Sequence, residues 1–490
     1  MPAPIAVPAT IQAPPHTFHN PLVTRPRKKI LTGSYFRKQS AYVARQKVLY
    51  ASKNHSPWLY SERRKKPLQI KLYVQPIKIS KDIHGLELRA FDPDALHAIH
   101  KLREAGFSAY LVGGCVRDLI LNHTPKDFDI STSAKPEEIK KLFRNCILIG
   151  RRFRLAHLRF QKNKILEVST FRSGDPSNET LIVRDNLWGS EEEDVLRRDF
   201  TINGLFFDSE TETIIDYIGG YQDLQNGTLK TIGQPFVRFK QDPVRMIRCL
   251  KFQARFGLAI DPDTKQALIE CRKEILKSSQ ARILEELFRM LESGASRHFF
   301  ELMTQFGLLE MLLPTLAHFL EHKKAQEVYG FLEEIDIIRH EPPAIALDRS
   351  VLLAALIFPL LHEHLTTHLH KKERSLHLGQ VQTEAYFILD QVFKPFFLLS
   401  KKIKAQAVSI LTSQYRLTPL EKKAPRRIRI PQTAEFPLAL QFLQLRSRLE
   451  PSLSEIFREW SEAFAKEPLS DCPPPTKRRR RRSRYVRKSS

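Results

Sequence analysis

A chain of 490 residues, of which 42% are hydrophobic, is long enough for two to four domains with buried cores. Its five cysteines include no Cys-x-x-Cys pair, which argues against a disulfide framework and fits a reducing, cytoplasmic compartment. The longest apolar run, residues 351–361, is too short to cross a bilayer, and the N-terminal residues show no secretory pattern, so we expect no membrane association.

The formal net charge of +25 is concentrated at the two ends of the chain. Residues 1–80 contain 15 lysines and arginines against one acidic residue, and residues 477–490 contain nine and no acid. Such blocks without apolar periodicity are typical of disordered segments that bind polyanions. We predict a basic, mostly disordered extension over residues 1–85 and an Arg-rich tail over residues 471–490. The tail would act as an RNA-binding arm, with a solubility or targeting tail as the simpler alternative.

The first ordered elements are predicted to be an amphipathic helix over residues 91–105 and a short apolar strand over residues 109–112. The strand runs into Gly113-Gly114 and a second helix. A turn without side chains, followed by a helix N-terminus, favours an anion, and Arg117 would add a full positive charge. The pattern predicts a phosphate-binding turn, although a plain strand–turn–helix connection uses the same residue types.

A second short strand, predicted over residues 126–130, places Asp127 and Asp129 on one face because side chains alternate along a strand. Two neighbouring carboxylates repel each other unless a cation lies between them. Mg²⁺ is the simplest candidate, since it is held by one or two carboxylates and by substrate phosphates. A lone Asp-x-Asp is more often a solvated strand end, but together with the glycine turn it predicts metal-dependent nucleotidyl transfer.

After a helix led by Pro136, two further strands are predicted over residues 153–160 and 164–171. In the second strand, Glu167 is an acid among mostly apolar neighbours, which is costly unless the acid is paired. Glu167 is therefore a candidate third carboxylate of the metal site, and a solvent-facing strand residue is the alternative.

A capping box at residues 190–193 predicts a helix that leads into Arg197, Arg198 and Asp199. These three residues form either a local ion-pair cluster or a set of contacts to phosphates, a ribose and a metal. A hairpin follows, and beyond residue 220 the sequence becomes helical through about residue 415, with a last helical stretch over residues 431–466.

One of these later helices is predicted over residues 242–257, with Asp242 as its N-cap and Pro243 as its first residue. Asp242 and Arg245 lie one turn apart on the same face, and Arg248 follows one turn later. The simpler interpretation is a cap with a neighbouring salt bridge. The functional one is a rigid acceptor and donor that match the edge of a base.

In the order and spacing of its motifs the chain resembles the class II nucleotidyltransferases, which include CCA-adding enzymes and bacterial poly(A) polymerase I. The motifs that carry the resemblance are Gly113-Gly114-x-Val-Arg117, Asp127-Phe-Asp129, Arg197-Arg-Asp-Phe-Thr-Ile-Asn203, Asp216-Tyr-Ile-Gly-Gly220 and Asp242-Pro-Val-Arg245-x-x-Arg248. Residues 150–157 and 185–190, together with the basic tail, look like the poly(A) polymerase branch.

The resemblance implies a polymerase-β-like α/β head followed by all-α neck and body domains. The implied boundaries are 86–220 for the head, 221–292 for a neck with the base-recognition helix, and 293–470 for an RNA-binding body.

By the same resemblance, Asp127 and Asp129 would bind Mg²⁺, with Asp199 or Glu167 completing the acidic set. The remaining motif residues would contact the nucleotide: Gly113, Gly114 and Arg117 at the triphosphate, Arg198 and Asn203 near the ribose, and Asp242, Arg245 and Arg248 at the base.

The activity implied is template-independent addition of AMP from ATP to RNA 3′ ends. A CCA-adding enzyme is the first alternative, and a catalytically idle RNA-binding protein, disfavoured by the intact carboxylates, is the second. One residue departs from the family pattern: Gln241 stands where a glutamate is usual. We expect this change to free Arg245 from a partner that would fix its side chain.

Overall fold

The computed structural model describes residues 75–150, 154–161, 164–174, 187–321, 325–342, 345–369, 377–419 and 429–466. The predicted Arg-rich tail and most of the predicted N-terminal extension lie outside these residues, as do parts of the segments 150–157 and 185–190. The described chain is an α/β head followed by helices, which confirms the predicted fold class.

The head is built on an eight-stranded mixed sheet with the strand order β1-β8-β7-β2-β3-β6-β5-β4. Only β3 and β6 pair in parallel, and every other neighbouring pair in this sheet is antiparallel. The strands are β1 Ile77–Ile79, β2 Ala109–Val112, β3 Asp129–Thr132, β4 Cys146–Ile149, β5 Leu155–Arg159, β6 Ile165–Thr170, β7 Phe206–Asp208 and β8 Thr213–Asp216. A separate parallel pair joins β9 Thr228–Leu229 to β10 Ala259–Ile260.

The helices fall into three groups along the chain. In the head they are α1 Lys81–His84, α2 Pro93–Glu104, α3 Gly114–Ile120, α4 Pro136–Leu142, α5 Glu191–Leu196 and α6 Gly220–Gln225. The next four, which we call the neck helices, are α7 Pro235–Gln241, α8 Val244–Phe256, α9 Pro262–Cys271 and α10 Gln280–Leu291. The last group is α11 Ser296–Gln305, α12 Leu308–Leu312, α13 Pro314–Leu320, α14 Ala325–His340, α15 Arg349–His364, α16 Leu378–Phe393, α17 Lys401–Leu417, α18 Phe436–Leu449 and α19 Ser454–Lys466. Short 3₁₀ segments lie at Leu88–Ala90, Thr201–Asn203, Arg272–Lys277 and Pro451–Leu453.

The two faces of the sheet pack differently, and this difference positions the site. On one face, Leu111, Ile130 and Val168 are fully buried in a large core that includes α2. This core continues into the last group of helices, so it marks no boundary between the predicted domains, which stay predictions. On the other face only a small second core, which includes Val112 and Val195, is covered by α5. The ends of β3 and β6 beyond α5 are left accessible.

Three details of the predicted architecture were wrong. Ordered structure begins earlier than residue 91, because β1 extends the sheet by pairing with β8. The strand predicted over residues 126–130 starts only at Asp129, and Asp127 precedes it. The edge strand β4, which pairs with β5, was not predicted. Its Ile147 and Ile149 are exposed, so it lacks the usual alternation of apolar and polar residues.

One helix of the described residues, Arg349–Thr367, is long and apolar enough to span a membrane by length and composition. It is longer than the apolar run noted in the sequence because a π-helical turn, Leu365–Leu369, extends α15. However, 72% of its apolar window is buried inside the protein, and it packs against α14, α17 and α18. Its position in the core therefore accounts for its apolar composition.

Candidate active site

Three acidic side chains lie near one another at the accessible ends of β3 and β6. The two strands pair in parallel with Ile130 opposite Val168, so that Asp129 and Glu167 lie side by side one residue earlier. Burial, then the charges of Glu167 and Asp127, raise the pKa of Asp129 to about 6. We call Asp127, Asp129 and Glu167 the carboxylate group. It has an excess of negative charge that a bound cation would relieve.

The donor set fits Mg²⁺. Asp127 is exposed, and the side chain of Glu167 is half exposed with one oxygen 3.4 Å from Nε2 of His157, so neither carboxylate is enclosed by the protein. Within the described ranges, no group of three or more His, Cys, Asp or Glu side chains is close enough to form a metal site by itself. Mg²⁺ commonly keeps several water molecules and is held by one or two carboxylates plus substrate phosphates, so it does not need such a group.

Asp199, the other candidate for the acidic set, is engaged elsewhere. One of its carboxylate oxygens accepts hydrogen bonds from the Phe200 N–H and from Asn203 Nδ2, both at 2.9 Å, and the other lies 2.9 Å from Nη2 of Arg248. Burial opposes its ionisation, but Arg248 and Asn203 outweigh burial and lower the pKa of Asp199. The geometry therefore favours Glu167 over Asp199 as the third carboxylate.

The glycine turn faces Arg198. Gly113 has a φ of +67°, and a Cβ there would lie 3.0 Å from Nη1 of Arg198, so only glycine fits without strain. Nη2 of Arg198 donates to Ser131 Oγ at 3.1 Å and to Asp194 Oδ2 at 2.9 Å. The charge of Arg198 also lowers the pKa of Asp129, although burial and the charges of Glu167 and Asp127 raise it by more. The turn that includes Gly113 and Gly114 and the carboxylate group thus share one arginine.

Arg117 lies beneath the glycine turn, where its Nη2 would be 3.6 Å from a Cβ on Gly114, and its triphosphate contact stays a prediction. Its side chain is 6% exposed, its Nε and Nη2 donate to Asp118, and its Nη1 donates to Asn203 Oδ1. Its guanidinium lies 4.8 Å from the ring centres of Phe252 and Phe256 on α8. Arg117 is therefore a buried link between head and neck: its N–H groups donate to partners inside the head, and two phenylalanine rings of α8 pack against its guanidinium.

Asn203 likewise belongs to this internal hydrogen-bond network, and its contact with a ribose stays a prediction. Its amide accepts from Arg117 and donates to Asp199 Oδ1, and the residue is 6% exposed. The neighbouring turn is fixed by Asp216, whose carboxylate accepts hydrogen bonds from the N–H groups of residues 218 to 221. A Cβ on Gly220 would lie 2.1 Å from the carbonyl oxygen of Thr201, which explains the glycine of this motif.

Two arginines from the neck helices bind successive carbonyl groups at the C-terminal end of α5. Arg238 donates from Nη2 to the carbonyl oxygens of Leu196, at 3.2 Å, and Arg198, at 2.6 Å. Arg245 donates from Nη2 to the carbonyl oxygen of Arg197 at 3.0 Å. The last carbonyls of a helix have no partner within the helix and carry its negative dipole end, so guanidinium groups stabilise them. We call these five residues the head–neck joint.

Gln241 does not leave Arg245 free, contrary to the expectation from the sequence. Arg245 is 6% exposed, and its Nη1 also donates to the carbonyl oxygen of Arg238 at 3.3 Å. Gln241 Oε1 instead accepts from Nη1 of Arg238 at 2.8 Å. Burial and the charge of Arg245 lower the pKa of Arg238 to about 9, against the opposing charges of Asp199 and Asp242.

The comparisons with known proteins agree with this architecture. Residues 109–230 match the family described as "Poly A polymerase head domain", and residues 257–320 match "Probable RNA and SrmB- binding site of polymerase A". Poly(A) polymerase I of Salmonella typhi is 32% identical over 443 residues, which cover 83% of this chain and 91% of that protein. The chain belongs to the poly(A) polymerase I family.

The CCA-adding enzymes are further relatives of this poly(A) polymerase family member. The enzyme of Streptococcus gordonii is 36% identical over 229 residues, which cover 45% of this chain and 55% of that protein. The crystal structure of the Bacillus stearothermophilus CCA-adding enzyme in complex with CTP matches with a TM-score of 0.51 and 24% identity, covering 77% of this chain and 83% of that one. This structural match shows the shared fold.

The helix predicted over residues 242–257 starts two residues later than predicted, at Val244. Asp242 does not cap α8, which begins at Val244 with Pro243 as its N-cap residue. The Asp242 carboxylate instead forms two hydrogen bonds with Arg282 on α10, at 3.0 and 2.8 Å. Asp242 remains 21% exposed and the Arg248 side chain 37% exposed.

Sequence reasoning missed four residues of the site. Asp194 could have been found, because it lies three and four residues before Arg197 and Arg198 on one helix face. Arg238, Arg282 and Ser131 gave no local signal, since their partners lie 40, 40 and 67 residues away along the chain.

Proposed function

We propose that this chain transfers AMP from ATP to the 3′ ends of RNA without a template, with Mg²⁺ bound by Asp127 and Asp129. The observation that carries the proposal is the carboxylate group, three neighbouring acids at the accessible ends of two central strands, beside Arg198 and the glycine turn. A cluster of acids whose repulsion Arg198 offsets only in part is the expected form of a site that binds metal and triphosphate together.

The chain's own residues would supply binding and orientation. Mg²⁺ held at Asp127 and Asp129 would activate the terminal ribose hydroxyl and neutralise charge on the departing pyrophosphate. Arg198 would donate hydrogen bonds to the phosphates from a position fixed by Ser131 and Asp194. Glu167 would orient the metal ligands from the neighbouring strand.

The base of ATP would be contacted by Asp242 and Arg248. Both side chains are partly exposed, whereas the Arg245 guanidinium already donates to the carbonyl oxygen of Arg197 in the head–neck joint. Arg282 would keep the Asp242 carboxylate in one orientation, so that the base edge meets a fixed acceptor. We therefore propose that Arg245 acts on the base through the position of α8.

The extent of the sequence matches supports adenylyl transfer over CCA addition. The match to a poly(A) polymerase I extends over 83% of this chain, whereas the match to a CCA-adding enzyme extends over 45%. The shorter match is, however, 36% identical, and it keeps CCA addition as the second candidate. The four described cysteines, Cys115, Cys146, Cys249 and Cys271, are free and buried, which is compatible with activity in the cytoplasm.

The deciding experiment is a primer-extension assay with purified protein, Mg²⁺ and each nucleoside triphosphate separately. The primers are a generic RNA oligonucleotide and a tRNA that lacks its CCA end. A long ladder with ATP alone on the generic RNA is the expected result. Addition of three nucleotides on the tRNA, with CTP and ATP only, would establish the CCA-adding alternative. No addition to either primer would favour an RNA-binding protein without catalysis.

A further inference from the structure

An open apolar surface continues the sheet beyond the carboxylate group. Ile147 and Ile149 on β4 and Ile165 on β6 are 39%, 42% and 46% exposed, and Leu155 on β5 is half-buried. The residues that alternate with them lie in or against the large core, so these four side chains occupy the other face of the sheet, together with Glu167. We call Ile147, Ile149, Leu155 and Ile165 the apolar shelf. Exposed apolar surface beside a polar site is typical of a binding surface.

The register of the strands joins the apolar shelf to the carboxylate group in one row. Glu167 lies opposite His157 between β6 and β5, and His157 lies opposite Ile147 between β5 and β4. Oε1 of Glu167 is 3.4 Å from Nε2 of His157, so the imidazole ring directly follows the third carboxylate. Neighbouring strands are about 4.8 Å apart, which puts His157 about 10 Å and Ile147 about 14 Å from Asp129. A nucleotide whose ribose lies at Asp129 can therefore extend over His157 to the apolar shelf.

The strand order decides which nucleotide this is. The glycine turn follows β2, which lies on one side of β3, whereas β6, β5 and β4 lie on the other side. In an in-line displacement, the attacking and leaving oxygens lie on opposite sides of the phosphorus atom. With the pyrophosphate of ATP at the glycine turn and Arg198, the attacking 3′ hydroxyl of the RNA has to approach from the side of β6. The apolar shelf lies on the side of the RNA end.

The charges on this face also fit an RNA strand. Arg159 is exposed at the end of β5, opposite Ile165. Among the side chains that the described strands β4, β5 and β6 place on this face, Glu167 is the one acid. Its charge belongs to the carboxylate group, where a metal would compensate it. A phosphate beside Arg159 would thus meet a cation and no further acid of these strands.

We propose that the apolar shelf and His157 bind the 3′-terminal nucleoside of the RNA, with Arg159 at a phosphate of the same strand. The site rests on the proposed function and names the place of the RNA end within it. His157 offers an aromatic ring for stacking, and the four aliphatic side chains exclude water from the base. Aliphatic side chains have no hydrogen-bond donors or acceptors, so the apolar shelf accepts any terminal base, whereas Asp242 and Arg248 would contact the base edge of ATP.

The test uses full-length protein with the double variant Ile147→Thr/Ile149→Thr, the single variant Arg159→Ala, and Ile77→Thr as the matched control. Threonine keeps the branched shape that suits a strand but removes apolar surface. Ile77 is 63% exposed on β1, the opposite edge strand of the same sheet, so the control makes the same chemical change away from the site. Thermal unfolding followed by circular dichroism verifies that each variant is folded.

Three RNA oligonucleotides of one sequence serve as probes: an intact one, one whose 3′-terminal nucleotide lacks its base, and one that lacks a base far from the 3′ end. All three keep the 3′ hydroxyl. Fluorescence anisotropy without nucleotide gives the Kd over a series of salt concentrations. Single addition from 3′-deoxy-ATP, which extends each RNA once, gives KM for RNA and KM for the nucleotide separately.

We expect removal of the terminal base to raise KM and Kd for RNA roughly five- to tenfold in the wild type, and removal of the distant base to change them less. The double variant should show a similar loss with intact RNA, and removal of the terminal base should then add less than about twofold, because both changes remove the same contact. KM for the nucleotide should stay unchanged. Arg159→Ala should reduce the salt slope of log Kd by about 0.7 and keep the dependence on the terminal base. Ile77→Thr should match the wild type.

Three results would overturn the site. Losses from the double variant and from the missing terminal base that simply multiply would mean that the base lies elsewhere. A raised KM for the nucleotide with unchanged RNA affinity would assign the apolar shelf to ATP. A wild-type dimer that dissociates in the double variant, with unchanged RNA affinity, would assign the apolar shelf to a second copy of the chain. Wild-type protein that binds RNA but adds no nucleotide would overturn the proposed function, while the coupling measured in Kd would still decide where the RNA end binds.

Discussion

Arg198 connects the two regions: its side chain acts on the carboxylate group, and its carbonyl oxygen belongs to the head–neck joint. The two regions differ in how far their charged and polar groups are compensated. At the side-chain end, three acids repel one another, and burial raises the pKa of Asp129 to about 6. At the backbone end, buried guanidinium groups bind the carbonyl oxygens of residues 196 to 198. The first region has an excess of negative charge that Arg198 offsets only in part, whereas the carbonyl oxygens of the second region have hydrogen-bond partners within the protein.

This contrast separates chemistry from positioning. A group that must bind a metal or a phosphate has to keep capacity for it, so its charges are left uncompensated in the protein alone. A group that fixes geometry is most effective when its hydrogen bonds are complete, because an incomplete buried network is costly and mobile. Mutations in the two regions should therefore differ in kind, and the following predictions test that difference.

The largest effect is expected for Asp129→Asn. The change removes one charge from the carboxylate group at nearly constant volume, and we expect AMP incorporation to fall by roughly 10³-fold or more, because metal binding is lost. RNA binding and the melting temperature should change little. Asp263→Asn, the same chemical change at an exposed position on α9, serves as the control. Activity near the wild-type level in Asp129→Asn would remove the metal assignment.

The next largest effect is expected for Arg238→Lys. A lysine cannot bind two carbonyls and Gln241 at once, so Arg198 is displaced rather than removed. We expect kcat to fall roughly tenfold while KM for ATP changes less than about twofold, the pattern of a lost transition-state interaction. The melting temperature should also decrease, since a buried network is broken.

Arg282→Lys is the matched comparison for Arg238→Lys. It weakens the two hydrogen bonds that orient Asp242, a residue proposed to contact the base. It should therefore raise KM for ATP with little change in kcat. If both variants lowered kcat equally and left KM unchanged, the distinction between the joint and the base-contacting residues would fail.

A smaller and more specific effect separates Glu167 from Asp199. Glu167→Gln should raise the Mg²⁺ concentration for half-maximal activity several-fold with little change in the melting temperature, because Glu167 is half exposed and its contact with His157 Nε2, at 3.4 Å, lies partly in solvent. Asp199→Asn should lower the melting temperature and leave the Mg²⁺ concentration for half-maximal activity unchanged, since it leaves Arg248 without its partner. A Mg²⁺ shift in Asp199→Asn with none in Glu167→Gln would exchange the two roles.

The same pair gives a pH test. The folded-state pKa of Asp199 is lower than its ordinary value, so its contribution to stability is present above about pH 4 and is lost as the pH falls through the folded-state pKa. Asp199→Asn should therefore be destabilised at neutral pH and should lose less further stability than the wild type on acidification below pH 4. Acid unfolding monitored by circular dichroism measures this difference.

Much of the α/β fold could be predicted from the sequence because its signals are local. The helix α2, the glycine turn and the strands β5 and β6 follow from periodicity and turn residues, and their positions differ from prediction by only a few residues. The start of β3 was misjudged because Asp127 fits the alternation of a strand but has no pairing partner. Pairing depends on the neighbouring strand, which no local pattern contains.

The roles of the arginines were harder to predict, for a physical reason. A guanidinium has five donors and a long side chain, so its sequence position does not determine which partner it reaches. Arg117 was expected at the triphosphate but lies beneath the turn, where Asp118 and two phenylalanines of α8 surround it. Arg198, expected near the ribose, takes the place beside the glycines. Only tertiary packing distinguishes these two arginines.

The smallest expected effect, and the sharpest test of the head–neck joint, comes from Gln241→Glu. The change places a carboxylate where Gln241 Oε1 accepts from Arg238 at 2.8 Å, so it supplies the buried guanidinium with a counter-charge. A charge-assisted bond is stronger than a neutral one, and we expect the melting temperature to rise by about 1–3 °C. The ratio of ATP to CTP incorporation should stay within about twofold of the wild type, because carbonyl oxygens hold Arg245 independently of residue 241.

Gln241→Ala, which removes the acceptor without adding charge, is the control and should lower the melting temperature. A change in nucleotide selectivity of roughly fivefold or more in Gln241→Glu would mean that residue 241 does act on Arg245, and that the joint adjusts the base site as well as holding Arg198.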